Sequence, residues 1–169
     1  MSAFAVKIEG YDRLMQVLKN LPKEKLEAVE DVFFNAATNI TLQQKQLAPK
    51  DEGGIAQSIS FRQVSSLEFE MVAQKGYAPY VEFGTKSKAV IPPELAEIAA
   101  EFRGGQKMGV NAKEAIYKWA DRHGIPEERW YLVYRSIMTN GIRPHPFFFS
   151  PFFSARAKII ADVKAVLMK

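Results

Sequence analysis

Cysteine is missing altogether from these 169 residues, and histidine and tryptophan occur only twice each. Without cysteine there is no disulfide framework, thiolate zinc site, iron–sulfur cluster or cysteine nucleophile, and the composition fits a reducing compartment. The two histidines, His123 and His145, stand 22 positions apart. Neither has a partner at helical metal-ligand spacing, so no metal site is expected. His123, directly before Gly124, reads as a helix C-terminal residue contacting the last carbonyls. His145, between Pro144 and Pro146, reads as a surface or interface residue. No run of about 18 apolar residues occurs, which excludes a conventional transmembrane helix and predicts no membrane partner. The start, Met1 to Lys7, has no basic region leading into an apolar core, so no signal peptide is expected.

Catalytic signatures are equally scarce, and neither an enzyme nor a cofactor is expected. Gly104 to Gly109 (Gly-Gly-Gln-Lys-Met-Gly) lacks the spacing and the terminal Gly-Lys-Ser/Thr of a phosphate-binding loop. Asp51-Glu52 falls in a Gly-rich turn, where solvation or turn-capping accounts for it. Glu127-Glu128 occupies the first turn of a helix, where the dipole favours acids. No Gly-x-Ser-x-Gly elbow is present.

What remains is an ordinary globular composition: 47% hydrophobic and 25% charged residues, with 23 Lys/Arg against 19 Asp/Glu. At this length a single domain is the default, and it can carry an insertion. The charge is uneven. Residues 1–85 hold 9 basic and 11 acidic side chains, whereas residues 86–169 hold 14 and 8.

Phe4, Val6 and Ile8 predict a short strand over Ala3–Ile8, and Asp12 caps a helix with Leu14, Val17, Leu18 and Leu21 inward. A long second helix keeps Leu26, Val29, Phe33, Ala36, Ile40 and Leu47 on one seam and stops before Pro49. After the turn at Lys50–Gly54, alternation through Ile59 and Phe61, then Leu67, Phe69, Met71 and Ala73, predicts a β-hairpin with one dry face. A third strand is expected from Pro79 to Phe83, ended by Gly84. Residues 86–142 change texture. Helices are expected over Glu94–Phe102, over Ala112–His123 with Ile116, Trp119 and Ala120 inward, and from Pro126 to Asn140 carrying Trp130, Val133, Tyr134 and Ile137. An extended arm, Arg143–Pro151, then leads into a helix from Phe152 to Leu167, whose apolar residues cover more than one face. The sum is an α+β fold: a small antiparallel sheet packed against a long helix and a C-terminal helix. It forms one domain over 1–169, with 86–142 as a helical insertion.

Three segments are unusual for a plain core: Ala48–Ile59, Tyr77–Thr85 and Pro144–Phe153. The last places five phenylalanines and three prolines in ten residues. One monomer core would struggle to bury side chains that leave an extended arm in different directions, so the segment reads as a protein contact surface. The alternative is that the helical insertion covers it.

Together the segments resemble the HK-ninety-seven-type gene-ten-product-like family of tailed-phage head–tail connector, neck or tail-completion proteins. The family's turn after the long helix is matched at Ala48, Pro49, Asp51, Gly53, Ser58 and Ile59, with Glu52 where the pattern usually has Thr. Its "YA-x-yvEfGT" segment is matched at Tyr77, Ala78, Tyr80, Val81, Glu82, Phe83, Gly84 and Thr85. Its "P-x-PF" arm is matched at Pro144, Pro146, Phe147, Phe148 and Pro151. The resemblance spans residues 1–85 and 142–168; the 86–142 block lies outside it.

The resemblance implies a structural virion protein that forms a homo-oligomeric ring, usually hexameric, at the head–tail junction. Its partners would be portal or adaptor and tail-tube proteins, and it would be assembled in the host bacterial cytoplasm. DNA would pass through such a ring without sequence-specific binding. A head-to-tail ring needs two different complementary patches. The expected interface residues are Tyr77, Tyr80, Glu82, Phe83, Gly84 and Thr85 on one patch and Phe147, Phe148, Phe149, Phe152 and Phe153 on the other. Glu82 would meet a neighbour's basic residue, and Gly84 would permit a turn that a Cβ obstructs. The competing reading is a nucleic-acid-binding module using Lys107, Lys113, Lys118, Arg122, Arg129 and Arg135 as phosphate contacts, with Glu114, Asp121, Glu127 and Glu128 diluting that patch.

Overall fold

A computed structural model describes residues 20–50, 53–86, 91–103 and 112–168. The strand expected at Ala3–Ile8, the helix headed by Asp12, the acidic pair Asp51-Glu52 and the Gly104–Gly109 loop lie outside the described residues. The fold is α+β: helix-rich, with a two-stranded antiparallel sheet packed against a long helix and a C-terminal helix. The chain divides into two compact units, residues 1–75 with 147–169, and residues 76–146.

In the first unit, helix α1 runs Lys23–Leu47, roughly 37 Å. Pro22 sets its start, because the Pro22 carbonyl accepts from the Lys25 and Leu26 amides. Of the predicted seam, Val29 and Ile40 are buried and Leu26, Phe33 and Ala36 half-buried, with Ala37 buried beside them. Beyond Ile40 that face continues through Thr41, Gln44 and Ala48, while Leu47, expected on the seam, is exposed. A short helix α2 (Gly54–Ser58), not anticipated from the turn-rich sequence, leads into β1 (Ile59–Ser65) and β2 (Glu68–Ala73). The pairing sets Ile59 opposite Ala73, Phe61 opposite Met71 and Gln63 opposite Phe69, with an irregularity between Gln63 and Ser65. Phe61 and Phe69 on this face meet Phe34 of α1 edge-on at 5.7 and 6.2 Å. The other face carries the Arg62–Glu70 ion pair. The one-dry-face hairpin is therefore as expected.

The C-terminal helix α7 spans Phe149–Met168 and so begins three residues before the expected Phe152. Pro151 fits its first turn, where the missing N–H is no loss, and the extended arm ends at Phe148. Lys25 Nζ donates to the Leu167 carbonyl (3.1 Å), and Gln44 Nε2 donates to the Phe148 carbonyl (2.8 Å). These two bonds, one near each end, fix α7 antiparallel to α1.

The second unit contains, among its described residues, helices and connecting turns. The strand expected over Pro79–Phe83 is instead helix α3, Ala78–Phe83. Ala78, Glu82 and Phe83 are its buried positions, a four-residue recurrence and not an alternation. Pro79 sits in the first turn, and the Tyr77 carbonyl accepts from the Tyr80 and Val81 amides. A 3₁₀ turn at Pro93–Leu95 precedes α4 (Ala96–Arg103), which packs on α3. Helices α5 (Ala112–Arg122) and α6 (Glu127–Asn140) pack on each other. Ile116 and Ala120 are buried on α5, and Tyr117 meets Trp130 of α6 edge-on at 5.5 Å. The three helical expectations for this block hold.

Candidate functional site

The two sequence segments expected to form the contact surface fall in different units, so each is built separately. In the second unit, Gly84 ends α3 with φ +69° and ψ 176°, a region essentially closed to residues with a Cβ. A Cβ at this position would sit 2.6 Å from the Ile142 carbonyl oxygen and 2.9 Å from Pro144 N. Gly141 shows the same backbone, φ +77° and ψ −178°, where a Cβ would meet Lys86 N at 2.7 Å. The two glycines allow residues 84–86 and 141–145 to close against each other. Thr85 N donates to the Ile142 carbonyl (3.2 Å), Ile142 N donates to Thr85 Oγ1 (2.9 Å), and His145 N donates to the Val81 carbonyl (2.8 Å). Lys86 Nζ donates to the Met138 carbonyl at 2.7 Å. The obstruction expected at Gly84 is real, and its cause is the returning chain at Ile142 and Pro144.

This clamp occupies much of the segment expected to face a neighbour. Phe83 and Gly84 are buried, and Thr85 is spent on Ile142. Glu82 is only 5% exposed, which leaves little of it for a basic residue of another copy. Tyr80 is half-buried, and Tyr77 is the exposed member.

In the first unit the phenylalanine cluster is graded. Phe147 is wholly buried, Phe148, Phe149 and Phe153 are half-buried, and Phe152 is exposed. Consecutive rings meet edge-on, Phe147 with Phe148 at 6.3 Å and Phe148 with Phe149 at 5.4 Å. A single monomer thus accommodates more of the cluster than the sequence suggests, because the chain turns helical at Phe149 and stops presenting side chains along an extended arm. The exposed apolar surface continues along α7, where Phe152, Arg156 and Ile160 form one line at four-residue steps, Ile160 being 47% exposed. The surplus of apolar residues on the C-terminal helix pointed to this line. Gln44, which ties the Phe148 carbonyl to α1, left only the trace of a polar residue interrupting an apolar seam.

Two basic residues of the helical block have partners within it. Lys118 pairs with Glu114 at 2.8 Å, and Lys113 lies 5.6 Å from the centre of the Trp130 ring. The Lys118 ammonium, through its hydrogen bond and its charge, holds the Glu114 carboxyl below the usual carboxylate range. Lys107 lies outside the described residues. His123 behaves as the sequence implies. Its Nδ1 donates to the Trp119 carbonyl at 2.8 Å, its ring stacks on Trp119, and Gly124 closes the helix with Ile125 N bonded back to the Ala120 carbonyl.

Among the described residues, no group of three or more His, Asp or Glu is placed to hold a metal ion, and no helix is long and apolar enough to cross a membrane. No protein-family model matches the chain, and comparison with curated proteins and with solved structures gave no match.

Proposed function

We propose that this chain is a structural virion protein that assembles as an oligomeric ring, hexameric by resemblance, at the head–tail junction of a tailed bacteriophage. It acts there in tail completion or head–tail joining, between portal or adaptor proteins and the tail tube. The observation that carries the reading is the line Phe152–Arg156–Ile160 on α7, which emerges directly from the segment that resembles the family. Exposed apolar side chains bordered by a cation form the kind of surface that a neighbouring subunit covers. The clamp through Gly84 gives the most specific residues of the resemblance a structural task within the monomer.

The test is in vitro complementation. A phage carrying a nonsense mutation in the gene should accumulate heads and tails that do not join, and added purified chain should restore infectious particles. Phe152→Asp and Ile160→Asp, each folded by circular dichroism, should fail to restore them. Infectious particles produced without the chain would refute the proposal.

A further inference from the structure

Helix α6 has no buried residue over its 14 positions. Its inner side, Trp130, Val133, Tyr134 and Ile137, is only half-covered. Its outer side carries Tyr131 and Leu132, 54% and 61% exposed, with Met138 beside them. A contiguous apolar helix face of this kind marks a contact surface.

The charges on the same face say what the cover is. Glu128 and Arg135 are both exposed and lie seven positions apart, with Leu132 between them. Two helical turns separate them, about 10 Å along the axis, and they share one line. They therefore cannot reach each other within one helix. Neither forms an ion pair with any described residue. A second α6 laid antiparallel, with its two-fold axis between Tyr131 and Leu132, sets each residue opposite the one whose number completes 263. Glu128 then faces Arg135 of the other copy, Arg135 faces Glu128, and Leu132 packs against Tyr131 at the centre. The pattern acid–apolar–base complements itself under a two-fold rotation, whereas a parallel pair would set like charges together.

We infer that α6 is a self-association surface through which two copies of this chain pair antiparallel, held by two reciprocal Glu128–Arg135 ion pairs around a Tyr131–Leu132 centre. The contact uses one patch twice, so it is separate from the head-to-tail ring contact and stands or falls independently of it. A single helix about 21 Å long buries less than a standard interface, so the pair is weak and concentration-dependent.

Sedimentation equilibrium from micromolar to millimolar protein tests this. The unmodified chain should dimerise, and less so at high salt. Glu128→Arg and Arg135→Glu should each turn two attractions into two repulsions and weaken dimerisation about tenfold or more. A one-to-one mixture of these two variants should associate again, because every facing pair is then opposite in sign, and the double variant should recover for the same reason. Leu132→Asp should be monomeric, with circular dichroism confirming that each variant is folded. The inference is overturned if the unmodified chain stays monomeric throughout, if the single charge reversals associate as it does, or if mixing them restores nothing.

Discussion

Gly84 and Gly124 have nearly the same φ, +69° and +65°, yet a methyl group meets quite different surroundings at each. At Gly84 it collides with backbone atoms of Ile142 and Pro144 that hydrogen bonds hold in place; at Gly124 nothing lies within 4 Å. Gly84→Ala should therefore cost about 2–4 kcal/mol, and Gly124→Ala only about 1 kcal/mol, the backbone term alone. Urea denaturation of the two variants measures the difference. A second residue-scale case lies on the buried face of α1. Thr41 Oγ1 and Gln44 Oε1 are buried without a hydrogen-bond partner among the described residues, and Gln44 is only 1% exposed. Gln44 has a compensating role through Phe148; Thr41 has none on its hydroxyl. Thr41→Val keeps the shape and removes the unpaired hydroxyl, so it should be neutral or stabilise by up to about 1 kcal/mol. A lower melting temperature for that variant would show that the hydroxyl has a partner. A turn at Gly84 that a Cβ obstructs was expected from the family resemblance of its segment. The atoms that enforce it were not, because Ile142 is 58 positions away in sequence.

The elements differ in how far local pattern decided them. α1, the hairpin and α5 carry clean periodicities, and the structure follows them. α3 does not, because six residues are too few to tell a strand from a helix by period alone. There the deciding facts are Pro79 in a first turn and a C-terminal glycine with positive φ. On α5, the Glu114–Lys118 pair is an i, i+4 contact on an exposed surface, the kind that adds modestly to a helix. The Glu114 carboxyl titrates below its ordinary range because Lys118 hydrogen-bonds and attracts its charged form. A depressed folded-state value means that the pair's contribution is present above the ordinary glutamate range and is lost as the pH falls through the lowered value. A carboxyl-carbon NMR titration should place Glu114 below the ordinary glutamate range, and Lys118→Met should bring it back. No movement in that variant would assign the shift to another cause.

At the scale of the whole chain, two compact units are threaded so that residues 147–169 complete the unit begun by residues 1–75. The second unit starts at Gly76 and ends at Pro146, wider than the 86–142 block marked by sequence texture. The reason is that α3 packs on α4, while residues 84–86 pair with 141–145. Local stability can then differ between the units. Gly84→Ala should speed amide exchange across residues 76–146 and leave α1 and α7 at their original protection. Uniform acceleration through both units would show instead that they open as one cooperative block.

The sequence alone determined the class of this protein's longer elements, though not of the short helices α2 and α3. Absent cysteine excluded thiol and disulfide chemistry, and apolar spacing located the long helix, the hairpin and the helical block, because those signals are local and repeat within a few residues. Only the tertiary structure decided which members of the aromatic segments remain at the surface. The segment around Glu82 and Phe83 closes against residues 142–145, and no window of sequence contains both partners. The same holds for α6. Its acid–apolar–base line is written in residues 128–135, but the exposure that makes it a contact surface exists only once α5 has covered the opposite side.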